Sequence, residues 1–167
     1  MGILSGKRGI IFGALDENSI AWKVALEAKK EGAIFTLSNA PVALRLGTIN
    51  ELATLCQSVV IPADATNTDD LDKLFDQSIA ELGGKIDFIL HSIGMSPNVR
   101  KEKPYTNLNY DFYLKSLDIS ALSLHKILQV AYQKDAINEY GSVVALSYIA
   151  AQRAFPFYGD MAEAKAA

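Results

Sequence analysis

Short apolar runs alternate with longer segments of mixed polarity along the chain. Five runs rich in β-branched and aromatic residues predict strands over residues 8–13, 33–38, 58–63, 86–92 and 141–147. Each run is nearly continuous in apolar residues, as in Ile10-Ile11-Phe12, instead of alternating with polar ones. Continuous apolar strands are typical of a parallel sheet that helices cover on both faces. The pattern therefore predicts an α/β fold with a doubly wound parallel sheet of the Rossmann type.

The segments between the strands predict helices over residues 19–31, 42–56, 68–82 and 108–134. Gly32 and Gly83 lie where helices commonly end on a glycine, and Thr68 is the predicted cap of the third helix. Pro156 is incompatible with the interior of an ordinary helix. Residues 148–157 are therefore predicted to form a loop, and residues 158–167 a further helix.

Composition and charge narrow the possible classes of function. Of the 167 residues, 50% are hydrophobic and 21% charged, which suits one globular domain with its own core. A net charge of -3, without a basic run, provides no electrostatic surface for nucleic acid or an anionic membrane. No apolar stretch approaches the roughly 20 residues that span a bilayer, and the chain lacks a signal-peptide core. Together with the single Cys56, these features favour a cytoplasmic protein without a disulfide or a metal site.

The junctions after the strands are where a doubly wound sheet binds its ligands. Gly13 ends the first strand, and a helix is predicted to begin near Ser19. The N-terminus of such a helix offers unpaired N–H groups to a pyrophosphate. The usual G-x-G-x-x-G pattern is absent, so a plain turn capped by Ser19 is an equal alternative.

Three further residues follow or end strands. Asp64, after the third strand, could accept a hydrogen bond from an adenine amino group or simply initiate a turn. Gly94, after the fourth, would let the ribose of a cofactor approach the backbone closely. His91 has no neighbouring carboxylate or second histidine, and we expect it to pack or cap rather than to catalyse.

Tyr158 and Lys165 form the candidate catalytic pair. They are seven residues apart, which on one helix places them two turns apart on the same face. The lysine could position a ribose, while the phenol donates a hydrogen bond to an oxygen that gains negative charge. An ordinary amphipathic helix is the alternative. The chemical interpretation is favoured because the pair follows the fifth strand, at the edge where cofactor and substrate must meet.

Four motifs together resemble the NADH-dependent enoyl-[acyl-carrier-protein] reductases of bacterial fatty-acid synthesis, in the short-chain dehydrogenase/reductase superfamily. They are residues 1–8, Gly13 with Ser19-Ile20-Ala21, His91-Ser92-Ile93-Gly94, and Leu146-Ser147-Tyr148 leading to Tyr158 and Lys165. The resemblance covers the whole chain. It implies that NADH is the cofactor and that a set of residues contacts it, namely Gly13, Ser19, Ile20, Asp64, Ala65, Ile93 and Lys165. It also implies that Ser96 lies beside the acyl substrate, and that Tyr148, Tyr158 and Lys165 are the active-site residues.

The resemblance further implies an acyl carrier protein bearing an enoyl thioester as partner, and a homotetramer. The long predicted helix carries more apolar residues than one sheet-facing stripe needs, which fits either an interface or burial within its own domain. The family's fold continues beyond the lysine helix. We therefore expect residues 1–167 to be a single dinucleotide-binding domain that lacks its C-terminal part and is inactive alone.

Two other functions stay open from the sequence. A carbonyl reductase of the same superfamily uses a tyrosine four residues before the lysine, but that position is Met161, whose thioether cannot donate a proton. The other alternative is a non-catalytic module that binds nucleotide or mediates oligomerisation.

The sequence favours NADH over NADPH. No basic residue follows the second strand before Arg45, which would leave a 2′-phosphate without a charged partner. Ser38 or Asn39 could instead bind a 2′-hydroxyl. Lys23, where many relatives carry glycine, leaves the contacts to the adenine ribose open.

Overall fold

A computed structural model describes residues 2–167; Met1, which opens one of the motifs above, lies outside them. Five parallel strands form one sheet in the order β3-β2-β1-β4-β5. Their bounds are β1 Arg8–Phe12, β2 Ile34–Ser38, β3 Val59–Val60, β4 Ile86–His91 and β5 Ile137–Ala145. This arrangement confirms the predicted doubly wound parallel sheet. Because the strand order reverses between β1 and β4, a crevice is expected at their carboxyl ends.

Eight α-helices accompany the sheet in the described residues. They are α1 Ile20–Lys30, α2 Pro41–Leu44, α3 Ile49–Cys56, α4 Thr68–Leu82, α5 Pro97–Arg100, α6 Tyr110–Leu117, α7 Ser123–Gln133 and α8 Gly159–Ala166. Short 3-10 turns cover Tyr105–Asn107 and Ile149–Ala151, and a π-helical turn, Asp118–Leu122, joins α6 to α7. Within residues 2–167, no helix is long and apolar enough to cross a membrane.

The strand side chains alternate between two hydrophobic cores, one on each face of the sheet. Ile10 and Phe12 face a core with α4 and α7, which includes Phe75 and Ile127. Ile11 points the other way, into a core with α1 and α3. Both faces of the central strands are therefore covered, which explains their continuous apolar sequence.

The predicted helix over 42–56 is wrong in one respect, because the structure divides it into α2 and α3. At Gly47 an added Cβ would lie 2.2 Å from the carbonyl oxygen of Leu15, and the Thr48 N–H donates to that oxygen at 2.9 Å. The chain leaves the helix here to pack against the β1–α1 loop. Arg45 consequently lies in a connecting turn, not within a helix as predicted.

The predicted helix over 108–134 is confirmed as one continuous helical run from Tyr110 to Gln133, in which a π-helical turn lies between α6 and α7. Extra turns of this kind are frequent at functional sites. Ser120 lies in the turn and its hydroxyl is 3.2 Å from the carbonyl oxygen of Met95, whose own N–H donates to Ser120 Oγ at 3.0 Å. The wider turn thus binds the loop that follows β4.

Smaller boundary predictions also differ. The cap of α4 is Asn67, not Thr68, since the Asn67 side chain accepts from the N–H groups of Asp69 and Asp70. The third strand is only two residues long, whereas β5 begins at Ile137, four residues earlier than predicted. The early start of β5 includes an irregularity in its pairing with β4. Gly83 has a left-handed φ of 69° at the end of α4, as expected for a terminal glycine.

Candidate active site

Gly13 is the point of closest approach between the first loop and the end of β4. Its φ is +89°, a conformation that favours glycine, and its N–H donates to the Ser38 carbonyl at 3.0 Å. A Cβ at this position would lie 1.9 Å from the carbonyl oxygen of Ser92. Only glycine fits without displacing one of the two strand ends.

Ser19 closes the β1–α1 loop rather than capping α1 with its side chain. Its hydroxyl oxygen accepts from the N–H groups of Leu15 at 3.1 Å and Asp16 at 3.2 Å, and its proton is donated to the Asp16 carbonyl. Ser19 is the residue before the helix, but no side-chain cap bond forms. The alternative of a turn closed by Ser19 therefore fits the loop, but the hydroxyl makes no cap bond to α1. The free N–H groups of the first turn, which starts at the exposed Ile20, stay available to an anion.

Ser38 supplies a buried polar atom beside this loop. Its hydroxyl is fully buried and has no hydrogen-bond partner within the described residues. Neighbouring Asn39 braces the same region, since its amide donates to the Ala14 carbonyl at 2.9 Å. A buried polar group without a partner costs free energy. The end of β2 therefore fits a ligand that brings a hydrogen-bonding group, such as a ribose hydroxyl.

Asp64 has the geometry of a turn. One of its carboxylate oxygens accepts from the Thr66 N–H at 2.9 Å and from the Thr66 hydroxyl at 2.7 Å. Ala65 beside it is buried. The turn interpretation of Asp64 is confirmed, and a contact of Asp64 or Ala65 with adenine stays a prediction.

His91 ends β4 as a buried residue, as expected from the sequence. Its Nε2 lies 2.8 Å from the Ser123 hydroxyl. Burial, and secondarily the positive charge of Lys165, lower the pKa of His91 to about 4. The ring is neutral at physiological pH and is buried between the end of β4 and α7.

Folding should consequently lose stability in mild acid through His91. The unfolded chain binds a proton on this ring below about pH 6.5, whereas the folded chain does so only near pH 4. Protonation of the unfolded state alone favours unfolding, so the free energy of unfolding should fall as pH decreases through this window. The contribution amounts to about 3 kcal/mol. Urea denaturation of the wild type and of His91→Gln, at several pH values, measures it.

His125 provides a matched control because it is the other histidine and is exposed. His125→Gln should retain the pH dependence of the wild type, whereas His91→Gln should flatten it. Parallel curves for the wild type and His91→Gln would contradict the assignment.

Lys165 joins the ends of β4 and β5. From α8 its ammonium donates to the Leu146 carbonyl at 2.9 Å and to the Ile93 carbonyl at 3.2 Å. Burial lowers the pKa of Lys165. A Cβ on Gly94 would lie 3.3 Å from the ammonium nitrogen, so this glycine leaves room for it. A lysine has three N–H donors, and one is left to reach into the crevice.

Tyr158 stands beside Tyr148, with ring centroids 5.4 Å apart in an edge-to-face arrangement. Burial, and then the proximity of Tyr148, raise the pKa of Tyr158. Tyr158 is the residue before α8, with φ of -123°, so the prediction of a tyrosine and a lysine two turns apart within one helix is wrong. Hydrogen bonds place Lys165 at the carboxyl ends of β4 and β5, whereas Tyr158 packs against Tyr148 in the loop between β5 and α8.

Comparison with known proteins identifies the family. A family model described as enoyl-(acyl carrier protein) reductase matches residues 13–167. The chain belongs to the enoyl-(acyl carrier protein) reductase family. The resemblance found in the sequence motifs is thereby confirmed for family and fold.

Individual relatives of the chain are also enoyl-acyl carrier protein reductases. The enoyl-[acyl-carrier-protein] reductase [NADH] FabI of Rickettsia bellii is 34% identical over 168 residues, which are 99% of this chain and 62% of that protein. A crystal structure of the FabI–NADH complex from Alistipes finegoldii has a TM-score of 0.95 and 60% identity, over 98% of this chain and 58% of that one. The Bacillus cereus reductase, crystallised with NADP+ and indole naphthyridinone, has a TM-score of 0.86 and 29% identity. The match covers 99% of this chain and 64% of that one. The chain spans about three fifths of the length of these relatives.

Ser96, predicted from the enoyl reductase family to lie beside the acyl substrate, is buried. Its hydroxyl lies 2.9 Å from both carboxylate oxygens of Asp160, and it accepts from the Val99 N–H at 3.0 Å. This hydroxyl is engaged within the protein. A direct substrate contact stays a prediction.

Asp160 and three buried serines of the α6–α7 segment were not identified from the sequence. Ser116, Ser120 and Ser123 are buried and bond respectively to Asp160, Met95 and His91. Their spacing of four and three residues places them on one helical face, which was the available signal. In the sequence, Asp160 is an acidic residue in the first turn of a predicted helix. Such residues are common because they interact favourably with the helix dipole, so nothing marked this one as part of a site.

Proposed function

We propose that this chain is the dinucleotide-binding part of an enzyme that reduces the trans-2 double bond of enoyl-[acyl-carrier-protein] thioesters with hydride from NADH. The observation that carries the proposal is that Lys165 bridges the ends of β4 and β5, while Tyr158 packs against Tyr148 in the segment that leads from β5 to α8. The match to the reductase family supports it. Residues 1–167 are proposed to belong to one domain, which in the relatives continues beyond this length.

The cofactor is proposed to lie across the carboxyl ends of the strands. Its pyrophosphate would bind at Gly13, Ser19 and Ile20, beside the N-terminus of α1, which no side chain caps. Asp64 and Ala65 would contact the adenine end. The unpartnered Ser38 hydroxyl supports a ribose nearby.

At the other end of the cofactor, Ile93 and Lys165 would hold the nicotinamide ribose, with the third N–H donor of Lys165 reaching a ribose hydroxyl. The bound dinucleotide supplies the hydride, and these residues keep its ring aligned with the substrate.

Tyr158 is the proposed donor to the thioester oxygen. Charge develops on this oxygen as the double bond is reduced, and a positioned phenol stabilises it by a hydrogen bond. The raised pKa of Tyr158 keeps its proton in place at neutral pH. Tyr148 would line the substrate pocket opposite Tyr158, and Ser96 would lie beside the acyl substrate.

The structure disfavours carbonyl reduction by the usual route. Met161, at the position of the general-acid tyrosine in carbonyl reductases, is 6% exposed and carries no proton to donate. The non-catalytic alternative concerns the isolated chain: its length relative to the enzymes it matches favours nucleotide binding without turnover.

The partner in this proposal is the acyl carrier protein that bears the enoyl thioester, and the location is the cytoplasm, in keeping with the buried, unpaired Cys56. We also infer a homotetramer. Leu114, Leu122 and Leu128 on the α6–α7 segment are exposed in the single chain, which supports an apolar interface there. Sedimentation of a clean monomer at micromolar concentration would contradict the tetramer.

Turnover and cofactor preference are tested together in a chimera, in which residues 1–167 are followed by the remaining C-terminal part of the Alistipes finegoldii reductase. We expect the chimera to reduce crotonyl thioester and to have a higher kcat/KM with NADH than with NADPH. The physical reason is that the end of β2 and the residue after it, Ser38 and Asn39, could bind a hydroxyl, with no cation before Arg45.

Arg45 is the sharpest control, because its connecting turn packs beside the β1–α1 loop. A preference for NADPH that disappears in Arg45→Ala would show that this arginine binds the 2′-phosphate, and would overturn the prediction. The 167-residue chain alone should bind NADH and show no turnover. Absence of turnover by the chimera would contradict the proposed function.

A further inference from the structure

A fully buried carboxylate lies between the two proposed active-site residues of the last segment. Asp160 follows Tyr158 by two residues and precedes Lys165 by five. Its Oδ2 accepts from the Ser116 hydroxyl at 2.7 Å and from the Asn98 amide at 3.0 Å. The Ser96 hydroxyl completes the set at 2.9 Å.

No basic side chain pairs with Asp160 among residues 2–167. The carboxylate is therefore held by neutral donors and by the N-terminal end of α8. A buried carboxylate is costly unless its hydrogen bonds are well made. The number of donors gathered around it indicates a position that is fixed rather than adaptable.

The donors come from the loop after β4, from α5 and from α6, the segments proposed to lie on the substrate side of the crevice. Ser96 precedes α5 and caps it, Asn98 lies within α5, and Ser116 lies in α6. Asn98 is itself held, because its side-chain oxygen accepts from the Asn109 N–H at 3.0 Å. Asp160 thus joins the start of α8 to the loop after β4 and to α6.

We propose that Asp160 is a positioning residue, which fixes Tyr158 against the substrate side of the crevice through its bonds to Ser96, Asn98 and Ser116. This inference rests on the proposed function of Tyr158 for its catalytic consequence. The function of Asp160 is separate from cofactor binding, since Lys165 is held by the Ile93 and Leu146 carbonyls and not by this network.

The first test compares kcat and NADH affinity in the chimera. Asp160→Ala removes both carboxylate oxygens of the network, whereas Asp160→Asn keeps one oxygen for the Ser116 and Asn98 donors. A small displacement of a catalytic group can lower the reaction rate by up to about 100-fold. We therefore expect kcat to fall about 100-fold in Asp160→Ala and about 10-fold in Asp160→Asn. The Kd for NADH should change less than about twofold, because the Lys165 contacts persist.

Rates are expressed per NADH-binding site, so that loss of folded protein does not count as loss of catalysis. Glu163→Gln is the matched control: it lies on the same helix, and its contact is a 3.4 Å bond from the Tyr105 hydroxyl on the outer side. It should retain the wild-type kcat. A kcat per site within twofold of the wild type in Asp160→Ala would overturn the proposal.

The second test uses the 167-residue chain and does not depend on turnover. The Tyr148 and Tyr158 rings are close enough to give a nuclear Overhauser contact in selectively labelled protein. We expect this contact in the wild type and in Glu163→Gln, and its loss in Asp160→Ala. An unchanged contact would contradict positioning by Asp160. If the wild-type chimera failed to turn over, the proposed function would fall while this measurement still decided the role of Asp160.

Discussion

Tyr158→Phe is expected to lower kcat of the chimera by about 100- to 1,000-fold, the usual cost of removing a donor aimed at a developing oxyanion. The substitution deletes one hydroxyl and retains the ring that packs against Tyr148. The proposed cofactor contacts of Lys165 do not involve this hydroxyl, so the Kd for NADH should stay near that of the wild type. Steady-state reduction of crotonyl thioester and an NADH titration measure the two quantities.

The matched control for this change is Tyr132→Phe, because Tyr132 is 87% exposed on α7 and lies outside the proposed site. It should retain full activity. A Tyr158→Phe enzyme with turnover like the wild type would remove Tyr158 from the mechanism.

Gly13→Ala is expected to destabilise the 167-residue chain by about 3 kcal/mol or more, the range of strained backbone and overpacking combined. The new Cβ would meet the Ser92 carbonyl at 1.9 Å, in a residue with φ of +89°. The ends of β1 and β4 would have to separate, and NADH binding should be lost with them. Urea denaturation and an NADH titration provide the measurements.

Gly83→Ala separates the effect of backbone strain from that of the steric clash with Ser92. Gly83 also has a positive φ, of +69°, but a Cβ added there, at the outer end of α4, would meet no atom within 4 Å. It should cost only about 1 to 2 kcal/mol, the strain of a left-handed residue. Equal losses for the two variants would show that the contact between Gly13 and Ser92 is not the cause.

The sequence was most informative where local rules act alone. The bounds of α4 match the prediction residue for residue, because its apolar period, acidic first turn and terminal glycine all agree. The strand order could be anticipated as a class, since continuous apolar strands alternate with helices. The crevice follows from that topology.

Contacts between distant segments were beyond the reach of local patterns. The break at Gly47 depends on Leu15, more than thirty positions earlier, and no local signal records that approach. Asp160 receives bonds from side chains 44 to 64 positions away, so its role could not be read from its own helix. Tyr158 was proposed from its spacing to Lys165 and from the resemblance, but its place before α8 needed the structure.

Tyr158 and Lys165 are proposed to act in the reduction of a carbon–carbon double bond rather than of a ketone. The ratio of kcat/KM for crotonyl and acetoacetyl thioesters, measured with NADH in the chimera, tests this assignment most directly. We predict that the crotonyl thioester is preferred by more than about tenfold, because buried Met161 offers no proton to a developing alkoxide. Preference for the acetoacetyl thioester would contradict the assignment.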